Sequence, residues 1–350
     1  YAKEYKAMFE RQELLANQPK TMLPTDPKNI WMEGIGLIGL GANAKAASIA
    51  GDLAVQNARV RAIGEDAGGF RPISEKDLFD CEYWSLEQAK LGKGAPPKFQ
   101  GKIVMITGGS GTIGFAIAEA FSKLGAQTVL VDKNETSLKE AITKLGHGHG
   151  YFPIDVTEAD AADQAMLAAI KNFGGLDILV SNAGAAHAGP MLSISNEELR
   201  NAFELNFFSH YSFATEAAKI LKNQNRGGQI LFNISKQAVN PGKNFGAYGL
   251  PKATTFFLMR QLALELGSDG IRVNGVNADR IRSGLLTDDF ISSRAKSRGV
   301  SESEYMAGNL LNKEVTAEHV ADAFTSLACA ESTTGHVMTV DGGNIEASLR

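Results

Sequence analysis

The stretch that decides the fold is Thr107-Gly-Gly-Ser-Gly-Thr-Ile-Gly114, which follows an apolar run, Ile103–Thr107, and precedes a helical pattern over residues 115–123. Glycines allow a tight turn from strand to helix and let backbone approach a ligand closely. The start of the helix presents unpaired N–H groups and the positive end of the helix dipole to an anion. The sequence therefore predicts that this turn binds the pyrophosphate of a dinucleotide.

A carboxylate stands at the spacing that this kind of site requires. Asp132 ends the next predicted strand, residues 128–132, about 20 residues beyond the glycine turn. A carboxylate at that position accepts hydrogen bonds from the ribose 2′-hydroxyl and repels a 2′-phosphate. We therefore expect NAD rather than NADP as the cofactor.

Apolar strands alternate with amphipathic helices from Lys102 onward, a pattern typical of crossover units on a parallel sheet. The remaining predicted strands cover residues 150–155, 176–181, 229–234, 272–276 and 337–340, and helices begin near Thr112, Glu135, Glu158, Asn196, Gly246 and Thr316. We predict an α/β fold with a Rossmann-type, doubly wound parallel sheet of about seven strands.

Composition limits the class of protein. The 350 residues are 44% hydrophobic and 21% charged, which is ordinary for a soluble globular protein. The net charge of −4 gives no reason to expect nucleic acid or an anionic membrane as a partner, and no apolar run reaches membrane-spanning length. With only two cysteines, Cys81 and Cys329, we expect reduced thiols, a cytoplasmic protein and a small-molecule substrate.

The first 97 residues differ in character and form a predicted N-terminal α/β extension. A polar helical stretch covers residues 1–17, a short strand covers 30–32, and an Ala-rich helix covers 42–59. Gly34-Ile-Gly-Leu-Ile-Gly39 also fits the dinucleotide pattern, but the run Arg59-Val-Arg61 supplies no acid at the right spacing. We interpret it as a glycine-rich turn, and we divide the chain into domains 1–97 and 98–350 at Gly92-Lys-Gly-Ala-Pro-Pro97.

Three side chains suggest proton transfer. Tyr248 and Lys252 stand four apart in a predicted helix and so share one face, while Ser235 closes the preceding strand. A free tyrosine titrates near pH ~10, and a neighbouring ammonium lowers that pKa by stabilising the phenolate. Ser235 could hold a substrate oxygen while Tyr248 exchanges a proton with it during hydride transfer.

Together these motifs resemble the short-chain dehydrogenase/reductase family over residues 98–350. The matching residues also include Asp155-Val156, Asn182-Ala-Gly184, Asn206, Ile271-Arg-Val-Asn274 and Val340-Asp-Gly-Gly343. The resemblance implies the catalytic set Asn206, Ser235, Tyr248 and Lys252. It implies a cofactor site formed by Gly108, Ser110, Gly111, Thr112, Ile113, Gly114, Asp132, Asp155, Val156, Asn182, Ala183, Gly184, Tyr248 and Lys252.

The resemblance also implies roles for individual segments. Asp155 and Val156 would lie beside the adenine, and Asn206 would order a water that relays protons to Lys252. The segment from Arg282 to about Leu311 would cover the substrate. Members of the family are commonly homotetramers or dimers, so we expect a homo-oligomer.

Several positions depart from the family pattern. Thr112 replaces the middle glycine of the turn, and this spacing resembles the nucleotide-sugar epimerase branch. Lys236 stands where a second serine is usual, and an alternative register would bring it to the catalytic position. Asn277-Ala278-Asp279 replaces the usual Asn-Pro-Gly, and Pro251 is tolerable in its helix only within the first turn.

The first hundred residues resemble the tail of a class II sugar-phosphate aldolase. The resemblance is carried by Ile35-Gly-Leu-Ile-Gly-Leu-Gly41, Ala46-Ala-Ser-Ile-Ala-Gly51 and Phe79-Asp-Cys-Glu-Tyr-Trp-Ser-Leu-Glu87. It suggests the C-terminal part of a bifunctional fusion of the rhamnulose-1-phosphate aldolase/alcohol dehydrogenase type, with an upstream aldolase domain in the same polypeptide. None of the six histidines lies in residues 1–100, so we expect no metal site.

Three functions remain open from the sequence. The first is an NAD-dependent oxidoreductase acting on a small alcohol or carbonyl compound, such as a hydroxyaldehyde or polyol of rhamnose-type deoxysugar catabolism. The second is a nucleotide-sugar epimerase, and the third is a non-catalytic dinucleotide-binding scaffold for an aldolase. Polar residues that could shape an anion-tolerant substrate pocket are Lys236, Gln237, Asn244, Arg280 and Arg282.

Overall fold

The computed structural model describes residues 1–91, 95–186, 188–284 and 286–344. The chain divides into two compact units, Tyr1–Gly101 and Lys102–Arg350. The division falls four residues beyond the expected boundary at residue 97. Each unit has its own sheet and its own helices.

The N-terminal unit contains a two-stranded antiparallel sheet and four helices. Its elements are α1 (Ala2–Glu13), β1 (Asn29–Met32), β2 (Gly36–Gly39), α2 (Ala44–Asp66), α3 (Glu75–Glu82) and α4 (Ser85–Lys90). Phe9, Phe79 and Tyr83 form a small aromatic core, with ring centroids 4.7–5.9 Å apart. The Tyr5 and Tyr83 hydroxyls lie 2.8 Å apart beside it and join α1 to the segment after α3.

The interpretation of residues 34–39 as a turn was partly wrong. Only Gly34 and its neighbours make the turn, with Gly34 at φ +76°, and the following residues return as β2. Gly36 pairs with Met32 and Gly39 with Asn29. The positive φ at Gly34 explains why glycine is needed there without a nucleotide.

The C-terminal unit is built on a seven-stranded parallel sheet in the order β5-β4-β3-β6-β7-β8-β9. The strands are β3 (Ile103–Thr107), β4 (Gln127–Asp132), β5 (Gly150–Pro153), β6 (Ile178–Ser181), β7 (Gly228–Asn233), β8 (Ile271–Ala278) and β9 (Val337–Val340). The prediction of a doubly wound parallel sheet of seven strands is confirmed. Most strand limits shift by one or two residues, and the central strands read as continuous apolar runs because they are buried on both faces.

The connections between these strands are helical. They are α5 (Thr112–Lys123), α6 (Glu135–Leu145), α7 (Ala161–Phe173), α8 (Asn196–Phe203), α9 (Ser209–Gln224), α10 (Gly246–Leu266), α11 (Asp288–Arg298), α12 (Glu302–Met306) and α13 (Ala317–Cys329). A π-helical turn, Glu204–Phe208, joins α8 to α9, and 3₁₀ turns cover Lys236–Ala238 and Gly267–Asp269. Pro251 is the sixth residue of α10, beyond the first turn to which we had confined it.

The strand order reverses between β3 and β6, which lie side by side although β4 and β5 separate them in sequence. At such a switch point the crossover helices leave on opposite faces, and a crevice opens at the carboxyl ends of the strands. Within the described residues, no helix is long and apolar enough to cross a bilayer, and no three His, Cys, Asp or Glu side chains cluster as metal ligands would.

Candidate active site

A cleft of about 860 Å³ opens at this carboxyl edge of the sheet. At one end it is lined by the glycine turn after β3 and by Asp132 at the end of β4. Its middle is lined by the ends of β6 and β7, and its far end by the loops after β7 and β8 and by α11. The topology therefore brings most of the predicted site residues, which span the sequence from 108 to 252, to one place.

The glycines of the turn have no side chains, so a ligand could approach the backbone closely there. Gly108 has φ +63°, a left-handed conformation that favours glycine. A Cβ on Gly114 would lie 2.1 Å from the carbonyl oxygen of Gly108, so no other residue fits without moving the backbone. Gly111 caps α5, and Thr112 takes the first helical position and lines the cleft. The turn therefore brings the start of α5 to the cleft, where the N–H groups of its first turn could bind a pyrophosphate.

Asp132 closes the same end of the cleft. Its Oδ2 accepts a hydrogen bond from the backbone N–H of Ser110 at 3.3 Å, and its Oδ1 accepts one from Asn134 at 3.2 Å. These bonds hold the carboxylate beside the glycine turn. Its charge therefore faces the part of the cleft where a ribose would follow a bound pyrophosphate.

A polar network fixes the turn to the middle of the cleft. The Asn182 amide nitrogen donates to the carbonyl oxygens of Thr107 and Gly108 at 2.9 and 3.3 Å, and its Oδ1 accepts from Asn233 at 2.8 Å. The Thr107 hydroxyl oxygen accepts the backbone N–H groups of Asn182 and Ala183. The ends of β3, β6 and β7 are thus cross-linked, which makes the floor of the cleft rigid.

Tyr248 and Ser235 meet in the middle of the cleft. Tyr248 lies in the first turn of α10, and Ser235 follows β7, where the sheet edge meets the helix. Burial raises the pKa of Tyr248 to about 12, although the neighbouring Ser235 hydroxyl lowers it. Lys236 pairs with Asp279 instead of Tyr248, and the catalytic role of Ser235 stays a prediction.

Lys252 lies one helical turn beyond Tyr248 and is only 2% exposed. Its Nζ donates to the Asn233 carbonyl oxygen at 3.0 Å and lies 5.9 Å from the centre of the Tyr248 ring. Burial lowers the pKa of Lys252 to about 7. The amine can therefore gain or lose a proton near neutral pH, beside the hydroxyl that we predict to transfer one.

His210 was not predicted from the sequence, yet it contacts this lysine. Its Nε2 lies 3.3 Å from Lys252 Nζ, and its Nδ1 lies 2.6 Å from the Ser181 hydroxyl oxygen. Burial and the nearby lysine hold the pKa of His210 well below its usual value, so the ring is neutral. One signal was available: His210 stands four residues after Asn206 and so shares its helix face.

Asn206 sits in the π-helical turn between α8 and α9, a local widening that often marks functional sites. Its amide nitrogen donates to the carbonyl oxygens of Ala185 and Ala202, while its buried Oδ1 has no protein partner among the described residues. A Cβ on Gly184 would lie 2.8 Å from that oxygen and 3.5 Å from Lys252 Nζ. A buried acceptor of this kind is where an ordered water is expected.

Some predicted residues do not line the cleft in the described part of the chain. Ser110 contributes only its backbone to Asp132, and Asn206 lies behind Gly184. Asp155 and Val156 follow β5, and the Asp155 carboxylate accepts hydrogen bonds from Thr157. The placement of both beside an adenine stays a prediction.

The loop after β8 carries charged residues, Asp279 and Arg280, where the family pattern has an uncharged turn. Asp279 replaces a glycine and is buried, and its Oδ1 pairs with Lys236 Nζ at 2.9 Å. Arg280 adopts φ +32°, uncommon for a residue with a side chain, and its Nη1 donates to the Tyr305 carbonyl oxygen at 2.6 Å. Lys236 and Arg280 line the cleft, as we expected for a polar pocket, whereas Arg282 pairs with Asp288 and Glu314 outside it.

Two family models match the chain. The model described as enoyl-(acyl carrier protein) reductase matches residues 109–344, and the model described as aldolase class II, second domain, matches residues 1–91. The first covers well over half of the chain and contains all the residues that line the cleft except Gly108. The second coincides with most of the N-terminal unit.

Individual proteins show the same division. An uncharacterized oxidoreductase of Bacillus subtilis, YuxG, is 32% identical over 98% of this chain, which spans only 51% of that relative's length. A short-chain type dehydrogenase/reductase from Mycobacterium ulcerans is 30% identical, with a TM-score of 0.65, and 72% of this chain covers 92% of it. A 3-ketoacyl-(acyl-carrier-protein) reductase from Brucella melitensis, solved with NADH, is 26% identical with a TM-score of 0.62, and 69% of this chain covers 98% of it.

Proposed function

Because the chain belongs to the short-chain dehydrogenase/reductase family, and its first 91 residues match a class II aldolase domain, we propose that it is an NAD-dependent alcohol dehydrogenase or carbonyl reductase. One observation carries the proposal. Tyr248, Ser235 and the buried Lys252 line the same cleft as the glycine turn. The residues proposed to transfer the proton would then lie next to the bound dinucleotide.

The cofactor would lie along the cleft from Asp132 to Tyr248. Gly108, Gly111 and Gly114 would hold the pyrophosphate, and Asp132 would accept hydrogen bonds from the adenosine ribose. Asn182, Ala183 and Gly184 would line the central part. When bound, the nicotinamide supplies the hydride acceptor or donor that the protein side chains lack.

Tyr248 would exchange the proton of the substrate hydroxyl. Ser235 donates to the substrate oxygen and holds it within reach of the Tyr248 hydroxyl. Burial disfavours the phenolate and raises the pKa of Tyr248 to about 12, so proton acceptance needs a positive charge nearby. Lys252 supplies that charge when its amine is protonated.

The proton that Tyr248 accepts also needs a route away from the site. Lys252 can take part in this transfer because its pKa, about 7, lets the amine gain or lose a proton near neutral pH. Asn206 Oδ1, unpartnered on the far side of Gly184, would hold a water next to the amine. We propose that Asn206 and Lys252 pass the proton in this way.

The N-terminal resemblance bears on the substrate. Aldolases of the class matched by residues 1–91 release small aldehydes, and a dehydrogenase in the same polypeptide would act on such a product. We therefore propose a short hydroxyaldehyde or polyol as the substrate, as in rhamnose-type deoxysugar catabolism.

We also propose that the protein works as a cytoplasmic homo-oligomer. Phe257 and Leu264 project from α10 with 67% and 81% of their surface exposed, and Tyr211 on α9 is also exposed. Apolar side chains on neighbouring helices are candidates for a subunit interface. Light scattering coupled to gel filtration measures the oligomeric state directly.

A substrate screen tests the proposed function. Purified protein is incubated with a panel of alcohols and hydroxyaldehydes, with NAD and with NADP in parallel, and formation of reduced cofactor is measured. We expect turnover with NAD, abolished in Tyr248→Phe while NAD binding is retained. Full activity of that variant would exclude the proposed role of Tyr248. No turnover across the panel, with NAD bound, would favour a non-catalytic scaffold.

A further inference from the structure

The far end of the cleft, beyond Tyr248, has a composition that the proposed reaction does not require. Its wall is built from the loop after β7, the loop after β8, α11 and α12. We call this part the distal wall and define its charged residues as Lys236, Lys243, Asp279, Arg280, Arg294 and Arg298. Among the described residues that line it, five are cations and one is a carboxylate.

That single carboxylate is already engaged by two of the cations. Asp279 pairs with Lys236 Nζ at 2.9 Å and lies 3.7 Å from Arg280 Nε, and it also accepts from the Asn344 amide. Lys236, Asp279 and Arg280 are all largely buried, so water does little to screen their charges. Asp279 offsets one positive charge of this group and leaves the other uncompensated.

Arg294 and Arg298 have no carboxylate within salt-bridge distance in the described parts of the chain. Instead, their guanidinium groups lie over aromatic rings of the same wall, Arg294 5.6 Å from the centre of Phe245 and Arg298 5.3 Å from that of Tyr305. Stacking fixes a guanidinium plane but leaves its N–H groups free at the edge. These arginines are thus held in place without being neutralised.

One donor of Arg294 is, in addition, buried and unsatisfied. Its Nε is inaccessible to solvent and has no hydrogen-bond partner in the described residues. An unpaired buried donor on a charged group is destabilising, and a ligand that supplies the acceptor would remove that cost. Because Arg294 lines the cleft, that ligand would be bound in the cleft.

We propose that the substrate of this enzyme carries an anionic group, a carboxylate or a phosphate, which binds to the distal wall while the reacting hydroxyl or carbonyl oxygen faces Tyr248 and Ser235. Arg294 and Arg298 are its principal ligands, and Arg280 adds to the positive potential. This inference rests on the proposed dehydrogenase function and replaces the neutral hydroxyaldehyde or polyol proposed above with a small hydroxy acid or a phosphorylated alcohol.

The geometry also explains why the site would reject neutral analogues. A neutral ligand of the same size would leave the half-buried Arg294 and the exposed Arg298 without a counter-charge, whereas an anion forms charge-assisted hydrogen bonds with the guanidinium forks. A site built to bind a charged group discriminates strongly against analogues that lack it. The anion would therefore contribute to substrate specificity as well as to affinity.

Matched pairs of compounds test the proposal. The ratio kcat/KM with NAD is measured for lactate against propane-1,2-diol and for glycerol 3-phosphate against glycerol. We expect the anionic member of at least one pair to be preferred by about tenfold or more. The pair that shows the preference identifies carboxylate or phosphate. Equal or greater activity with both neutral members would overturn the proposal and leave the dehydrogenase function intact.

Arg294→Gln shows whether the preference comes from the distal wall, and Arg260→Gln is the matched control. Arg260 is an exposed arginine on α10 that also lies over an aromatic ring, Phe256, at 5.8 Å, but it does not line the cleft. We expect Arg294→Gln to raise KM for the anionic substrate about tenfold or more and Arg260→Gln to leave it unchanged. Equal effects of the two would contradict a specific site.

A binding measurement makes the test independent of turnover. Inorganic phosphate and acetate are titrated calorimetrically into the protein saturated with NAD, and NAD is titrated separately. We expect at least one anion to bind in wild type and in Arg260→Gln but not in Arg294→Gln, with the Kd for NAD unchanged. Weaker NAD binding in Arg294→Gln would indicate that Arg294 binds the cofactor and would contradict the proposed substrate site. Anion binding without any turnover would support the site while rejecting the proposed function.

Discussion

Lys252 Nζ lies 3.3 Å from His210 Nε2, and both side chains are almost wholly buried. The ring is neutral because burial and the lysine keep its pKa well below its usual value. A neutral imidazole has one acceptor nitrogen, and Nε2 takes that role if Nδ1 carries the proton and donates to Ser181. His210 is therefore a positioning residue that holds the Lys252 ammonium near Tyr248.

Replacing His210 is expected to impair proton transfer. In His210→Leu the buried ammonium loses an acceptor, which is worth about 1.5–3 kcal/mol for a charged group, so kcat should fall about tenfold or more. The pKa of Lys252 should fall further, because its charged form loses a hydrogen bond. In the reduction direction, where Lys252 must be charged, the alkaline limb of the rate–pH profile should move to lower pH.

The conservative variant separates positioning from packing. His210→Gln keeps an acceptor at a similar distance, and we expect it to restore much of kcat and the pH profile. If both variants lose activity equally without any change in the pH profile, the ring acts only as a packing element.

Stability should depend on pH through Lys252. Its pKa is about 7 in the folded protein and 10.5 in the unfolded chain, so between these values the unfolded state binds the extra proton. The free energy of unfolding must then rise with pH, by about 2 kcal/mol between pH 7 and 9 from this group. Urea unfolding at the two pH values measures the rise, and Lys252→Met should lack it. A similar rise in that variant would show that another group is responsible.

The cofactor preference should depend on the charge of Asp132. Asp132→Asn keeps the size of the side chain and one acceptor oxygen but removes the repulsion of a 2′-phosphate. We expect the ratio of kcat/KM for NAD to that for NADP to fall about tenfold or more. Asp322→Asn, an exposed position on α13, is the control. If the ratio of kcat/KM for NAD to that for NADP is unchanged in Asp132→Asn, the adenosine ribose does not bind next to Asp132.

The glycine turn should not tolerate a methyl group at Gly114. The added Cβ would meet the carbonyl oxygen of Gly108 at 2.1 Å, and backbone must move to relieve the contact. We expect a destabilisation of about 1–3 kcal/mol and a Kd for NAD raised about tenfold or more. Gly267→Ala is the matched control, since a Cβ there has no neighbour within 4 Å. Unimpaired NAD binding in Gly114→Ala would exclude the turn as the pyrophosphate site.

Local signals account for what the sequence predicted of the fold. Each strand of the large sheet is a short apolar run next to a turn, and Ile103–Thr107 and Val337–Val340 were predicted to the residue. The strand predicted over 150–155 ends early, at Pro153, because its partner strand β4 ends at Asp132, whose carbonyl oxygen accepts the last hydrogen bond from Ile154. Residues 34–39 were interpreted as a turn throughout, and the strand Gly36–Gly39 was missed because its two glycines do not indicate a strand from sequence.

The site was predictable only where its residues follow a local pattern. Tyr248 and Lys252 show a helical spacing, whereas His210 becomes meaningful only when α9 packs beside α10 and brings it to Lys252. The distal wall was harder still. Arg294 and Arg298 belong to a short charged helix that, from sequence, is typical of a solvent-exposed surface. Only the folded chain reveals that they line the cleft.

Asn344, beyond the last strand, donates to the buried carboxylate of Asp279, 65 residues earlier in the chain. A cleavage on the N-terminal side of Asn344 would therefore remove a donor from the wall of the cleft rather than trim a loose end. Enzyme that has been clipped in storage or expression should lose substrate affinity before it loses its fold. Intact mass should accordingly be checked before any kinetic constant is compared between preparations.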